Sequence, residues 1–238
     1  MIRFLDRKDA GRRLAALLAG RNLERAVVLG IPRGGVPVAA ELARALDGEL
    51  GVVVARKLRA PFRAELAIGA VTADGVSYIN HAIADACGAG DQYLAKEMAA
   101  QFEEAVRREQ SFDGRRRPSL KGRTVLVVDD GIATGATAIA ALRSMRLAGA
   151  ARVILAAPVG PPDTIELMRH EADEVVCVAE EPDFIGIGQF YDDFRPTKDE
   201  EVRRLLDEFG VERGETAPLP LVGLSRPPRP GAGEGESE

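Results

Sequence analysis

The sequence predicts an α/β fold, a doubly wound and mainly parallel sheet, on three observations. Short valine-rich apolar runs recur along the chain, stretches with helical periodicity alternate with them, and 238 residues suffice for one sizeable core without a second independent domain. Hydrophobic residues at 46% and charged residues at 29% place the chain among ordinary globular proteins rather than disordered or membrane-spanning ones.

Strands are predicted over residues 26–30, 51–56, 124–129, 152–157 and 174–178, because each is a run of apolar, often β-branched residues about five long. Helices are predicted between them, over 36–46, 135–147 and 162–171. The middle of the chain breaks this alternation. Residues 67–71 and 76–79 flank Ala73-Asp74-Gly75, a hairpin signal, since Asp-Gly favours the positive φ angles of tight turns. Residues 91–110 read as a long helix in which Leu94, Met98, Phe102 and Val106 form one apolar stripe, either core or a subunit contact. Arg107, Arg108, Arg115, Arg116 and Arg117 then form a basic stretch before Pro118, which reads as a solvated connector. From residue 210 to 238 the composition turns to Pro, Gly, Glu and Arg and cannot bury enough apolar surface to order itself, so the folded domain is expected to span residues 1–209.

Charge and cysteine usage exclude several function classes. A net charge of -5 argues against wholesale nucleic-acid or membrane-surface binding, either of which calls for a basic excess. Cys87 and Cys177 have no second Cys or His at ligand spacing, so neither a zinc site nor a disulfide framework is signalled, and His81 and His170 sit in unrelated contexts. The amphipathic, charged start is not a secretory signal, and no apolar window approaches 18 residues. A reducing cytoplasm is the expected setting, and a homodimer the expected assembly.

The chemistry concentrates in residues 125–137, where the strand Val125-Leu126-Val127-Val128 runs into Asp129 and Asp130 and then into Gly131, Ile132, Ala133, Thr134, Gly135, Ala136 and Thr137. A buried strand thereby delivers two adjacent carboxylates to its C-terminal edge, where ligand crevices form in open α/β sheets. The small and hydroxyl residues that follow open a helix whose free backbone N–H groups suit a phosphate, with Thr134 and Thr137 as added donors. The carboxylates can accept hydrogen bonds from vicinal hydroxyls or hold a hydrated Mg²⁺. A phosphorylated ribose diphosphate offers all three partners at once.

These thirteen residues resemble the phosphoribosyl pyrophosphate motif of the type I phosphoribosyltransferases. Neither a Walker A loop nor a G-x-G-x-x-G fingerprint competes for the segment. The resemblance implies a pentosyltransferase of nucleotide metabolism that moves phosphoribose to a nitrogen acceptor, a nucleobase or similar group, and releases pyrophosphate with Mg²⁺ as cofactor. It also implies a small hood subdomain over residues 180–197, with the N-terminal residues contributing, and a flexible loop over residues 58–66.

Gly30-Ile31-Pro32-Arg33-Gly34-Gly35 resembles the short loop that binds pyrophosphate in this family, with Gly34 and Gly35 allowing close backbone approach and Arg33 supplying charge. Out of context it is a Pro-Gly turn. In the family it resembles, the peptide around this arginine can be cis, a form open here to Arg33-Gly34 that the sequence does not decide. Arg56 and Lys57 resemble the basic pair that some members place beside the pyrophosphate, where cations offset charge on the leaving group; without that context they are a solvated strand end.

The segment 182–194 resembles the hood of hypoxanthine-guanine members, which makes Phe184 the base-stacking aromatic and Asp192 a metal ligand beside Asp129 and Asp130; an aromatic plug in a loop is the plainer reading. Ala133 stands where 6-oxopurine members carry an acid, so any proton donor lies elsewhere, and Glu65 is the candidate, though a surface glutamate serves as well. The alternative function is a nucleotide-sensing regulator that uses the same pocket and binds RNA or DNA through residues 107–123. Phosphoribosyl pyrophosphate synthesis lacks a visible ATP-binding half.

Overall fold

In the computed structural model the described residues are 2–23, 25–112 and 118–209; the predicted tail and Arg115, Arg116 and Arg117 lie outside them. Helix α1 (Arg7–Leu18) starts at Asp6, whose carboxylate accepts a hydrogen bond from the Asp9 N–H at 2.7 Å. Strand β1 (Val27–Gly30), helix α2 (Gly35–Ala45) and strand β2 (Glu49–Val52) follow. Strands β3 (Ala55–Ala60), β4 (Arg63–Thr72) and β5 (Ser77–Ile79) lead to helices α3 (His81–Ala86) and α4 (Asp91–Phe112). The chain continues through β6 (Thr124–Val128), α5 (Ala136–Leu147), β7 (Arg152–Gly160), α6 (Pro162–Glu171), β8 (Glu174–Glu180), a 3₁₀ turn at Ile187–Phe190 and α7 (Asp199–Glu208).

The architecture is mixed α/β, a five-stranded sheet in the order β2-β1-β6-β7-β8 with every neighbouring pair parallel. Val28, Leu126, Ile154 and Val176 face α1, α2 and α7, while Leu29, Val127, Val153 and Leu155 face α5 and α6. That period-two division with helices on both faces is what makes the sheet doubly wound, and it explains why its strands are apolar throughout.

A second sheet, β3-β4-β5, is antiparallel. Leu94, Met98 and Phe102 of α4 pack onto its buried Leu58, Ile68 and Val71, so most of the predicted helical stripe is core. Ala70 of β4 meets Ala136 and Ala140 of α5, and these small side chains let the two sheets' layers approach closely.

Two sequence expectations change here. The single strand expected over 51–56 is two strands: Val52 pairs in parallel with Gly30, whereas Ala55 pairs antiparallel with Thr72. A continuous apolar run carries no period that would mark such a switch. Residues 58–66, expected as a loop, instead belong mostly to β3 and β4, which meet in a turn at Pro61 and Phe62. Leu58 and Ala60 are buried and Lys57 and Arg59 exposed, a strand alternation.

Residues 4–5 and 190–193 meet over the sheet. Phe4 N–H donates to the Phe190 carbonyl at 2.8 Å, and the N–H groups of Asp192 and Asp193 donate to the carbonyls of Phe4 and Leu5, each at 2.9 Å. Phe4, Phe190 and Tyr191 are buried with Val159 and Ala10 in a separate apolar cluster, against which Phe184 and Phe194 pack.

Candidate active site

Strand β1 leads to β2 on one side of the sheet, while β6 leads to β7 and β8 on the other, so the connections diverge between β1 and β6. A crevice forms at such a switch point, outside the carboxyl ends of the two strands. The loops that open there are the two singled out by sequence, residues 31–34 and 129–135. They lie against each other: Ile31 N–H donates to the Val128 carbonyl at 2.8 Å, and Gly34 sits where a Cβ would collide with the Asp130 carboxylate.

Asp130 is buried and Asp129 half-buried. Burial and the neighbouring Asp130 carboxylate hold Asp129 well above the usual carboxylate range; the Asp130 N–H, which donates to Asp129 Oδ1 at 2.8 Å, and the Lys57 ammonium oppose that rise. Asp130 carries a partner that the sequence did not announce: Arg7 Nε donates to its Oδ2 at 2.7 Å. Tyr191 Oη donates to the Asp130 carbonyl at 2.6 Å, and burial, then the Asp130 charge, raise the Tyr191 phenol far above its ordinary value. No local signal singles out Arg7, since Lys8 beside it is equally a cation in the first turn of α1.

Downstream, Gly131, Ile132 and Ala133 run beside β7, with Ile132 N–H bonded to the Val159 carbonyl at 2.8 Å and Thr164 Oγ1 donating to the Ala133 carbonyl at 3.0 Å. Gly135, at φ 75°, occupies the left-handed region and turns the chain into α5 without any side-chain cap. The first N–H groups of α5, at Ala136 and Thr137, therefore face out of the helix end unsatisfied by a cap, with exposed Thr134 next to them.

The other predicted residues divide. A cis peptide lies at Pro32-Arg33, one bond before the Arg33-Gly34 bond that the sequence left open. Arg33 is partly exposed and reaches Asp199 of α7 at 3.4 Å. Lys57 and Arg56 occupy opposite faces of β3: Lys57 lies on the side of Asp129, while Arg56 points to α4 and donates to Gln101 Oε1 at 3.3 Å, so strand alternation removes Arg56 from the carboxylates. Glu65 is exposed on β4, and no hydrogen bond or ion pair joins it to the carboxylates. Phe184 packs on Phe190 with ring centroids 5.3 Å apart. Ile187 lies over the loop after β6, close enough that a Cβ on Gly131 would come within 2.7 Å of it.

Asp192 pairs with Arg3 at 2.6 Å. Among the described residues no group of three or more His, Cys, Asp or Glu could hold a metal ion. Of the basic residues between 107 and 123, Arg107 lies in α4 and pairs with Glu104, and Arg123 pairs with Glu49.

The phosphoribosyl transferase domain family matches residues 3–195 of the chain. Over 205 residues the chain is 46% identical to a protein from two strains of Mycobacterium tuberculosis that bears the name "Putative phosphoribosyl transferase", an alignment covering 86% of this chain and 46% of that protein. The chain thus spans about half the length of the curated relatives it matches. The crystal structure of TT1426 from Thermus thermophilus is similar at a TM-score of 0.74 and 42% identity, over 87% of this chain and 99% of that one. No helix among the described residues is long and apolar enough to cross a membrane.

Proposed function

The chain belongs to the phosphoribosyl transferase family, and on that premise we propose that it binds phosphoribosyl pyrophosphate at the β1–β6 crevice and transfers phosphoribose to a nitrogen acceptor. The observation that carries the proposal is the uncapped start of α5 set directly beyond two adjacent carboxylates, at the point where the sheet's connections diverge. A terminal phosphate sits on the N–H groups of Ala136 and Thr137 and the Thr134 hydroxyl. The ribose hydroxyls donate to Asp129 and to the Asp130 oxygen that Arg7 leaves open. The pyrophosphate lies toward Gly34, Gly35, Arg33 and Lys57.

In the reaction the acceptor nitrogen forms a bond to the anomeric carbon as the bond to pyrophosphate oxygen breaks, and the electron pair leaves with the pyrophosphate. Positive charge develops on the ribose ring, and the carboxylates beside it stabilise that charge without forming a bond. Lys57 and Arg33 offset the charge growing on the leaving group. Holding donor and acceptor in line supplies much of the remaining rate, since the bimolecular step becomes effectively unimolecular. The hood elements, Phe184 and Ile187 among them, cover the face from which the acceptor arrives.

Two carboxylates are too few for a protein-only magnesium cage but fit the usual arrangement, in which one or two carboxylates and the substrate's phosphates share the ion. Asp129 would hold it, and bound Mg²⁺ would neutralise pyrophosphate charge.

The test is a pyrophosphate-release assay over purines, pyrimidines and small amines, with Asp129→Asn as the inactive control. Release is expected with phosphoribosyl pyrophosphate, Mg²⁺ and one acceptor class together. Binding of the sugar diphosphate without release from any acceptor would favour the sensor, and no calorimetric heat at all would end the reading.

A further inference from the structure

We infer that Arg7 is a positioning residue of this site, one that acts through Asp130 to fix which carboxylate oxygen meets the ribose. The inference rests on the reading above. Arg7 is the first residue of α1, far from the loops that carry the motif, yet its guanidinium and the Asp130 carboxylate are nearly sealed together, their side chains 11% and 10% exposed.

The contact is fixed from several sides. Arg7 Nε donates to Asp130 Oδ2 at 2.7 Å, and Arg7 Nη1 donates to the Arg195 carbonyl at 2.8 Å. The guanidinium carbon lies 4.1 Å from the Phe194 ring centroid and 6.0 Å from that of Tyr191, whose hydroxyl bonds the Asp130 carbonyl. Gly34 closes the remaining side of the carboxylate, where no Cβ fits. Arg7 takes Oδ2 of the carboxylate, and the Asp129 carboxyl interacts with the same side chain, so the two acids and the guanidinium form one cluster at the crevice edge.

Arg7 thereby does three things to Asp130. It compensates a buried charge that would otherwise face Asp129 unpaired, it holds the carboxyl in one rotamer with Oδ2 turned to the guanidinium, and it ties that rotamer to the segment 191–195. A lysine could restore the charge but not the fork that reaches Asp130 and Arg195 together while stacking on Phe194.

The experiment measures calorimetric binding of phosphoribosyl pyrophosphate with Mg²⁺, and of inorganic phosphate as a probe that touches only the loop 131–137, in wild type, Arg7→Met, Arg7→Lys, Asp130→Asn and the Arg7→Met/Asp130→Asn double variant. Arg7→Met is expected to weaken the sugar diphosphate about tenfold or more and leave phosphate unchanged. Arg7→Lys is expected to recover part of the loss, and the loss is expected to vanish in the Asp130→Asn background. Should Arg7→Met not fold, Arg7→Lys against Asp130→Asn carries the same comparison. Equal weakening of both probes, or penalties that simply add in the double variant, would reduce Arg7 to a structural prop and overturn the inference. If the wild type itself fails to bind the sugar diphosphate, the functional reading falls and takes this with it; if only the Arg7 variants bind like wild type, this inference falls alone.

Discussion

Because burial and Asp130 hold Asp129 above the ordinary carboxylate range, the folded chain keeps a proton there to higher pH than the unfolded chain does. As pH rises past about 4, where an unperturbed aspartate ionises, the folded state therefore loses stability relative to the unfolded one until Asp129 is charged in both. Asp129→Asn removes that penalty while its amide oxygen can still accept from the Asp130 N–H. The variant is expected to melt higher than wild type at neutral pH, to lose the advantage near pH 3, and to react roughly a hundredfold or more slowly; a neutral-pH melt at or below wild type would contradict the assigned cause. Asp129, Asp130 and the loop to Thr137 were legible because they are contiguous and their chemistry is local. Arg7 was not, since its partner lies 123 positions away and no spacing rule spans that distance. Arg56 shows the opposite failure: adjacent basic residues looked like one feature, and the pleat of β3 sends them to different faces.

At the level of elements, the hairpin that carries Lys57 is anchored by a buried polar cluster. Thr72 Oγ1 donates to one oxygen of Asp74, Ser144 of α5 donates to the other at 2.5 Å, and all three residues are buried. Removing the acceptor deprives the buried Ser144 hydroxyl of it, while Thr72 keeps the Val76 carbonyl at 3.1 Å, so Asp74→Ala is expected to cost about 1–3 kcal/mol in urea unfolding and to weaken sugar-diphosphate binding by letting Lys57 drift. Unchanged stability would mean the cluster is not the anchor. The Asp74-Gly75 turn was readable because Gly75, at φ 88°, needs the conformation that Asp-Gly announces. The strand boundary at residues 53 and 54 was unreadable, since both neighbouring strands bury everything there and only the partner strand differs.

For the molecule as a whole, alternating runs and helices sufficed to name a doubly wound sheet, but the order β2-β1-β6-β7-β8 depends on pairings between distant segments that periodicity does not encode. The reading makes a global prediction: a ligand that grips both central loops stabilises every element they join. Phosphoribosyl pyrophosphate with Mg²⁺ at a hundredfold excess over its dissociation constant is expected to add about 2.7 kcal/mol to unfolding, measured as a raised denaturant midpoint, and no shift at saturating heat signal would show that binding is unspecific. The backbone bonds between residues 4–5 and 190–193 have a further consequence, in time rather than in space. On the ribosome the first of these segments is made long before its partner, at about 5–20 residues per second. For some seconds a nascent chain thus has residues 4–5 without residues 190–193, so the bonds between them can form only late in synthesis.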